Sequence, residues 1–167
     1  MLKINVTAVG KIKDSYIKDG ILEFKKRLQK FSNFSIIELQ EESENRGIES
    51  AVNTESKRIL ESIEGKNYYN ILMDLEGKNY YNILLDLDGV GVSSPAMAQK
   101  IMEISNFNSK VNFIIGGSNG VNNDVRNAAD FRLSFSKLTF PHQLMRLILI
   151  EQIYRWISIN NNIKYHK

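Results

Sequence analysis

The first half of the chain alternates between two hydrophobic periods. Residues 2–9 place apolar and polar side chains at alternate positions and then reach Gly10, which predicts a strand and its turn. Asp14 is positioned to cap a helix in which apolar residues recur every three or four positions. Residues 34–39 predict a second strand, and a short helix follows at about 51–63.

The second half continues the alternation. Residues 81–87 predict a third strand that ends at Asp88-Gly89. Ser94 followed by Pro95 predicts a helix start, because a capping hydroxyl there precedes a proline in the first turn. Residues 111–115 form a nearly continuous apolar run, which is typical of a central parallel strand.

Three more elements complete the pattern. They are a short helix at 123–129, a fifth strand at 131–135 and a long helix that opens at Pro141. Strands that alternate with helices predict an α/β fold, here a mainly parallel sheet of five to six strands with helices on both faces. Ligands of such sheets bind at the carboxyl ends of the strands, so we expect a site where the third, fourth and fifth strands end.

A tandem duplication interrupts this pattern. Residues 64–75 (EGKNYYNILMDL) and 76–87 (EGKNYYNILLDL) differ only at Met73 and Leu85. Two short copies cannot stack into a repeat core. Only the second copy leads directly into Asp88-Gly89, so we assign it to the sheet and expect the first to be a loop or an added edge segment.

Composition narrows the class of protein. The 167 residues fit one domain, and the absence of cysteine excludes disulfides, thiolate nucleophiles and cysteine-ligated zinc. The N-terminus has the alternation of a strand and not the pattern of a signal peptide. No apolar run approaches the roughly 20 residues of a membrane span, so we expect a soluble cytoplasmic protein.

Charge is distributed unevenly along the chain. Residues 35–64 carry eight acidic and three basic side chains, whereas residues 131–167 carry six basic side chains and one acidic one. A basic end on a nearly neutral protein suits a polyanionic partner, and a merely solvated face is equally compatible with the charge alone.

Several segments could carry chemistry. The loop at 116–120 (GGSNG) follows a buried strand and suits close backbone approach to a ligand, although a plain tight turn explains it equally well. The loop at 136–143 concentrates hydroxyls, a lysine and one of the two histidines, and capping and packing are the alternative. The histidines do not have metal-ligand spacing, so no metal site is expected.

Motifs along the whole chain resemble one family. They are INVTAVGKIKDSYIKDGILEFKKRL near the start, then LDLDGVGVSS, VNFIIGGSNG and FSKLTFPHQLMRLILIEQIYR, and finally YHK. In this order they resemble the ribosomal large-subunit pseudouridine N3-methyltransferases of the SPOUT superfamily. The duplication departs from that family, whose pattern has one copy of the segment before LDLDG.

The resemblance implies a fold, a cofactor and partners. The fold is an α/β knot, in which the C-terminal segment is threaded into a trefoil, a rare exception to chain-topology rules. The protein would be an obligate homodimer acting on a pseudouridine of large-subunit ribosomal RNA in the assembled ribosome. The residues implied to hold S-adenosyl-L-methionine are Leu85, Gly116, Phe135, Ser136, Lys137, Leu138, Thr139 and Phe140.

Catalytic candidates follow from the acceptor chemistry. N3 of pseudouridine is a weakly acidic imide, so a positioned base or a cationic site would assist the transfer. We expect His166 and Tyr165 on the substrate side, since a mobile tail could close over the RNA from either subunit. His142, beside the cofactor loop, is either catalytic or structural. The candidates for phosphate contacts are Arg132, Arg155, Lys164 and Lys167.

Three alternatives remain open at this point. The same pocket could serve methylation of another RNA position, such as a tRNA ribose. A non-catalytic ribosome-binding protein could have the same fold. A flavodoxin-like nucleotide-binding module would share the parallel sheet without the methyl donor.

Overall fold

The computed structural model describes residues 1–64 and 80–165, and its strands form one parallel sheet. The strands are β1 (Lys3–Val9), β2 (Asn33–Leu39), β3 (Tyr81–Gly91), β4 (Lys110–Ile115) and β5 (Phe131–Ser134). The helices are α1 (Ser15–Leu28), α2 (Ile48–Ile63), α3 (Ser94–Phe107), α4 (Asn123–Ala128) and α5 (His142–Asn160), with a 3-10 turn at Glu44–Arg46. The strand order is β2-β1-β4-β3-β5, and every pair is parallel. The predicted fold class is therefore confirmed.

Helices cover both faces of the sheet, as predicted. On one face α1, α3 and α5 pack over side chains such as Phe113, which stacks on Trp156 with ring centroids 5.8 Å apart. On the other face α2 and α4 pack over Ile114, the next residue along β4. Successive residues of a strand point to opposite faces, so burial on both sides explains why β4 is a continuous apolar run.

A line of polar side chains crosses the centre of the sheet. Thr7 on β1 donates to Asn112 on β4 over 3.0 Å, and Asn112 donates to Asn82 on β3 over 3.1 Å. Thr7 and Asn112 are buried, and each satisfies the other. These hydrogen bonds join neighbouring strands and specify their register more closely than apolar contacts alone would.

The second copy of the duplication supplies β3. The strand begins at Tyr81 and lies between β4 and β5 in the sheet. Residues 65–79 lie outside the described residues, and so does the prediction that the first copy forms a loop or an edge segment.

β3 is longer than predicted. It was expected to end near Leu87, but it continues through Gly91 and pairs with β5 a second time. Leu133 of β5 pairs first with Leu85 and then with Val90, with an irregularity between them. A Cβ at Gly89 would lie 2.7 Å from the carbonyl oxygen of Arg132, so glycine permits the close approach of the two strands at this point.

The starts of α3 and α5 were both predicted from the sequence. The cap of α3 is Ser93 and not Ser94, because Ser93 Oγ accepts from the amide of Ala96 over 3.3 Å. Ser94 instead donates to Gln152 on α5 over 3.2 Å. Pro141 precedes the long helix α5 as predicted.

Two further predictions concern the chain as a whole. No helix within residues 1–64 and 80–165 combines the length and the apolar character needed to cross a membrane. The C-terminal knot concerns how the chain is threaded and not which strands pair, and it stays a prediction.

Candidate methyl-donor site

A cavity of about 480 Å³ opens at the carboxyl ends of β3, β4 and β5. We call it the strand-end cavity. Of the eight residues expected at the cofactor, seven line it: Leu85, Gly116, Phe135, Ser136, Leu138, Thr139 and Phe140. Lys137 stands outside its walls and donates to the carbonyl oxygen of Leu87 over 2.8 Å. The sheet topology thus brings three segments together that are far apart in sequence.

The wall formed by residues 116–120 has to be glycine-rich. A Cβ at Gly116 would lie 2.6 Å from Val121 Cγ1, and a Cβ at Gly117 would overlap the carboxylate of Glu55. Gly120 has φ 81°, and its amide donates to the carbonyl oxygen of Gly117 over 2.9 Å. The loop is therefore a tight turn whose bare backbone faces the cavity, so the tight-turn interpretation and the ligand-binding one are compatible.

The opposite wall is tied to β3. Ser134 donates to the carbonyl oxygen of Leu87 over 3.2 Å, and the amide of Leu138 donates to Ser136 Oγ over 3.0 Å. Phe135 packs edge-on against Trp156 of α5, with ring centroids 6.2 Å apart. Leu138 and Phe140 remain 70% and 40% exposed. The wall is anchored at its base and presents apolar side chains at its rim.

A cluster of three charged residues at the cavity, Asp86, Arg126 and Arg132, was not predicted. The carboxylate of Asp86 is 7% exposed, lines the cavity and lies 2.9 Å from Arg132 and 3.2 Å from Arg126. Burial alone would raise the pKa of Asp86, but the amide of Asp88 and the two guanidinium groups lower it below its ordinary value. The only sequence signal was an acidic residue near the end of a strand.

His142, one of the predicted catalytic residues, lies on the cavity wall. Its Nε2 is 2.6 Å from the carbonyl oxygen of Val9 at the end of β1. A carbonyl oxygen can only accept, so Nε2 carries the hydrogen and Nδ1 is the free acceptor in the neutral ring. The contact holds the first turn of α5 against β1.

Arg146 lies one turn further along α5 and is fully buried. It donates to Glu38 over 2.8 Å and to the carbonyl oxygens of Val9 and Gly10 over 2.9 and 3.1 Å. Burial lowers the pKa of Arg146, and the Glu38 carboxylate opposes that effect. Arg146 therefore joins α5 to the ends of β1 and β2.

Within the described residues, which end at Tyr165, the C-terminal tail does not line the strand-end cavity of its own subunit. Tyr165 donates to Glu151 over 3.0 Å and packs on Tyr154, with ring centroids 4.8 Å apart. Arg155 pairs with Glu151 over 2.6 Å and lies above the Tyr165 ring. The tail was expected to be mobile as far back as Tyr165, but this residue is held in place on α5. His166 and Lys167 lie outside the described residues.

The basic residues expected at RNA phosphates have different environments. Arg132 bonds Asp86 through Nε, and its terminal nitrogens have no protein partner among the described residues. Lys164 is exposed, whereas Arg155 is engaged by Glu151 and Tyr165. Within residues 1–64 and 80–165, no group of three His, Asp or Glu side chains could hold a metal ion.

Known proteins resemble this chain along its whole length. The family model described as "Predicted SPOUT methyltransferase" matches residues 2–166. A protein of Fusobacterium nucleatum named "Ribosomal RNA large subunit methyltransferase H" is 50% identical over 167 residues, covering 99% of this chain and 100% of that protein. A protein of the same name from Clostridioides difficile is 44% identical over 172 residues, with the same coverage. A "Putative ribosomal RNA large subunit methyltransferase H" of Methanococcus maripaludis is 43% identical over 167 residues, again covering 99% and 100%.

Proposed function

This chain belongs to the SPOUT methyltransferase family, and from that premise we propose that it methylates N3 of a pseudouridine in large-subunit ribosomal RNA with S-adenosyl-L-methionine as the donor. The names of its relatives support the choice of RNA, and the resemblance supports the base and the cofactor. The observation that carries the proposal is the convergence of Leu85, Gly116 and the 135–140 loop on one cavity.

The walls of the strand-end cavity fit a methyl donor with an adenine, a ribose and an amino-acid part. Backbone groups at Gly116 and around Ser136 to Thr139 can bond the polar edges of the adenine and ribose, while Leu85 and Phe140 exclude water from its apolar surfaces. A Cβ at Gly116 would meet Val121 and Gly120, so the turn that forms this wall of the cavity requires glycine. When bound, S-adenosyl-L-methionine supplies an electrophilic methyl group.

Removal of the N3 proton is the task left to the protein. His142 can accept a proton at Nδ1, because its Nε2 hydrogen is committed to Val9. Tyr165 cannot serve as a base at neutral pH, since burial and the Glu151 carboxylate raise its pKa. We assign Tyr165 a hydrogen-bonding role toward the RNA and His166 a role as a second candidate base.

The tail residues require a second subunit in this proposal. Tyr165 is not on the wall of the strand-end cavity in its own subunit, so it can meet an RNA held there only from a partner chain. Leu87, Leu138 and Phe140 line the cavity and are each more than a third exposed, and so are Val90 and Val92, which follow Leu87 along the chain. A homodimer would cover apolar side chains of this kind and bring a partner's tail to the site.

Phosphate contacts fall to basic side chains near the rim. Arg132 can bond a phosphate through its terminal nitrogens while Nε keeps its bond to Asp86. Lys164 adds an exposed cation on the tail, and Arg155 supports the tail by packing on Tyr165. Lys167, which lies outside the described residues, stays a candidate from the sequence. The small number of such groups suits a particle-sized substrate that supplies further contacts.

The experiment measures transfer of tritium from labelled S-adenosyl-L-methionine to intact ribosomes, free subunits and tRNA, and then maps the label. We expect incorporation into one pseudouridine of large-subunit RNA within the intact ribosome. Label in tRNA would favour the ribose alternative, and ribosome binding without transfer would favour a non-catalytic role. Either result would refute the proposal.

A pair of glycine variants tests the cofactor site by calorimetry. Gly116→Ala places a Cβ against Val121 and Gly120, so we expect donor affinity to fall at least about tenfold. Gly91→Ala is the matched control, because a Cβ there would meet nothing within 4 Å. Equal donor affinity in the two variants, or no binding heat in the unmodified protein, would remove the strand-end cavity as the donor site.

A further inference from the structure

A second cavity of about 260 Å³ adjoins the strand-end cavity. It lies where β1 ends and α1 begins, and we call it the β1 cavity. Ser118 and His142 line both cavities, so the two spaces meet at one shared wall. A reaction that joins a donor to an acceptor needs two sites side by side.

The lining of the β1 cavity combines groups that suit a nucleotide. Lys11 and Lys13 are exposed cations, and the ring of Tyr16 is 65% exposed. The other polar groups of the lining are the carboxylates of Asp14 and Glu41, the hydroxyl of Ser118, the ring of His142 and the amide of Gln143. Cations bind phosphate, an exposed aromatic ring stacks on a base, and an amide with a carboxylate can bond the edge of a base.

The cavity is built by contacts that hold its walls in place. Gly10 has φ 85° and donates its amide to the carbonyl oxygen of Leu39 over 2.8 Å. A Cβ at Gly10 would lie 3.6 Å from Glu41 Oε2, so the bare glycine leaves room beside that carboxylate. Gln143 Oε1 accepts from the amides of Lys13 and Asp14 over 2.5 and 3.4 Å. This fixes the orientation of the amide and leaves Nε2 free to donate.

We propose that the β1 cavity binds the target nucleotide of the RNA, next to a donor in the strand-end cavity. Lys11 and Lys13 bind its phosphates, Tyr16 stacks on its base, and Gln143 donates to a base carbonyl. His142 stands on the shared wall, where Nδ1 can take the proton of the nitrogen that accepts the methyl group. The new N–CH3 bond would replace the methyl–sulfur bond of the donor, whose electron pair would stay on the sulfur and leave a neutral thioether. This inference rests on the proposed function and adds the site of its acceptor.

Glu41 gives the cavity a means of selecting pseudouridine. The glycosidic bond of pseudouridine is to carbon, so its N1 retains a hydrogen that uridine lacks. A carboxylate beside Gly10 can accept that N1–H, whereas uridine would leave the carboxylate without this bond. The cavity therefore distinguishes the modified base from its precursor by one hydrogen bond.

The first test compares two double variants in transfer assays on ribosomes. For Lys11→Ala with Lys13→Ala we expect KM for ribosomes to rise about tenfold and donor affinity to stay unchanged. The slope of log KM against log salt concentration should fall by about two, because two phosphate contacts are lost. Lys26→Ala with Lys30→Ala removes two exposed lysines elsewhere on the surface and should match the unmodified protein. A Tyr16→Ala variant should also raise KM. Double variants that behave alike would overturn the inference.

The second test measures base selection. Ribosomes that carry uridine at the target are compared with ribosomes that carry pseudouridine. We expect Glu41→Ala to lower the preference for pseudouridine about tenfold, while thermal unfolding shows an intact fold. An unchanged preference would refute the role of Glu41. If the unmodified protein transfers no methyl group to ribosomes of either kind, the proposed function is refuted, and so is this inference, which rests on it.

Discussion

Arg146 on α5 and Asp86 on β3 are both buried charges, and they are compensated by partners of opposite sign. Arg146 is a fully buried cation whose charged partner, Glu38, is 36% exposed. Asp86 is a nearly buried anion whose partners, Arg126 and Arg132, are each about a third exposed. Removing the carboxylate therefore leaves a fully buried cation at the Arg146 site and two partly exposed cations at the Asp86 site.

The comparison shows which element each charge positions. Arg146 donates to the carbonyl oxygens of Val9 and Gly10, so it joins α5 to the end of β1. Asp86 joins the end of β3 to β5 through Arg132 and to α4 through Arg126. The Nε of Arg146 has no hydrogen-bond partner among the described residues. Arg146 is thus the less fully satisfied of the two groups and the more dependent on its single ion pair.

The largest effect is expected at Glu38. Glu38→Ala leaves a guanidinium buried without its counter-charge, which we expect to lower the free energy of unfolding by about 3 kcal/mol in urea titrations. Adding Arg146→Met should recover part of that loss, because the uncompensated charge is then gone. Asp19→Ala removes an exposed carboxylate on α1 and should change stability by less than about 0.5 kcal/mol. A Glu38→Ala protein as stable as this control would contradict the comparison.

A smaller effect is expected at Asp86. Asp86→Ala leaves two guanidinium groups that can turn toward water, so we expect a loss of about 1–2 kcal/mol in the free energy of unfolding. The matched control is Asp88→Ala, whose carboxylate is 81% exposed and pairs only with the exposed Lys137. Losses at Asp86 that equal or exceed those at Glu38 would show that the burial of the charge left behind does not decide the cost.

The smallest expected effects are on the pH dependence of stability, which should have opposite signs at Asp86 and Glu55. The pKa of Asp86 is lowered in the folded protein, so its stabilising contribution is present above the unfolded value of 3.8 and is lost as pH falls through the folded pKa. The stability advantage of the unmodified chain over Asp86→Asn should therefore decline only below about pH 3.8. Urea titrations from pH 7 to pH 3 measure this.

Glu55 provides the opposite sign in the same titration. Burial raises the pKa of Glu55 beneath the glycine loop, so its contribution is present below the unfolded value of 4.5 and is lost as pH rises through the folded pKa. The unmodified chain should gain stability relative to Glu55→Gln as pH falls from 7. Parallel curves for the Asp86 and Glu55 variants would show that their environments do not differ as described.

Much of the fold could be predicted because it is encoded locally. The alternation of residues 2–9 predicted β1, and the apolar run at 111–115 predicted a strand covered on both faces. The predictions that were wrong concern one choice between adjacent serines and one contact with a distant strand. Ser93 and not Ser94 caps α3, and β3 continues past Leu87 because Gly89 lets it approach β5. Neither the competing serine nor the neighbouring strand is visible in the period of the side chains.

The candidate site was predictable in part for the same reason. The three segments at the strand-end cavity could be predicted from the rule that ligands of parallel sheets bind at carboxyl ends and, residue by residue, from the resemblance. The rule gives no partner for a charge. Asp86 was therefore missed, Arg132 was assigned to RNA without its bond to Asp86, and Tyr165 was expected in a mobile tail.

The sequence by itself determined the elements, their α/β alternation and the loops that end the strands, because hydrophobic period and turn chemistry act between residues a few positions apart. Only the tertiary structure decided which loops share a wall and which charges are compensated. His142 and Val9 are 133 positions apart, and their contact exists only once α5 packs beside β1. Burial then turns an ordinary arginine and an ordinary aspartate into groups that depend on their partners, because charges separated from water need compensation within the fold.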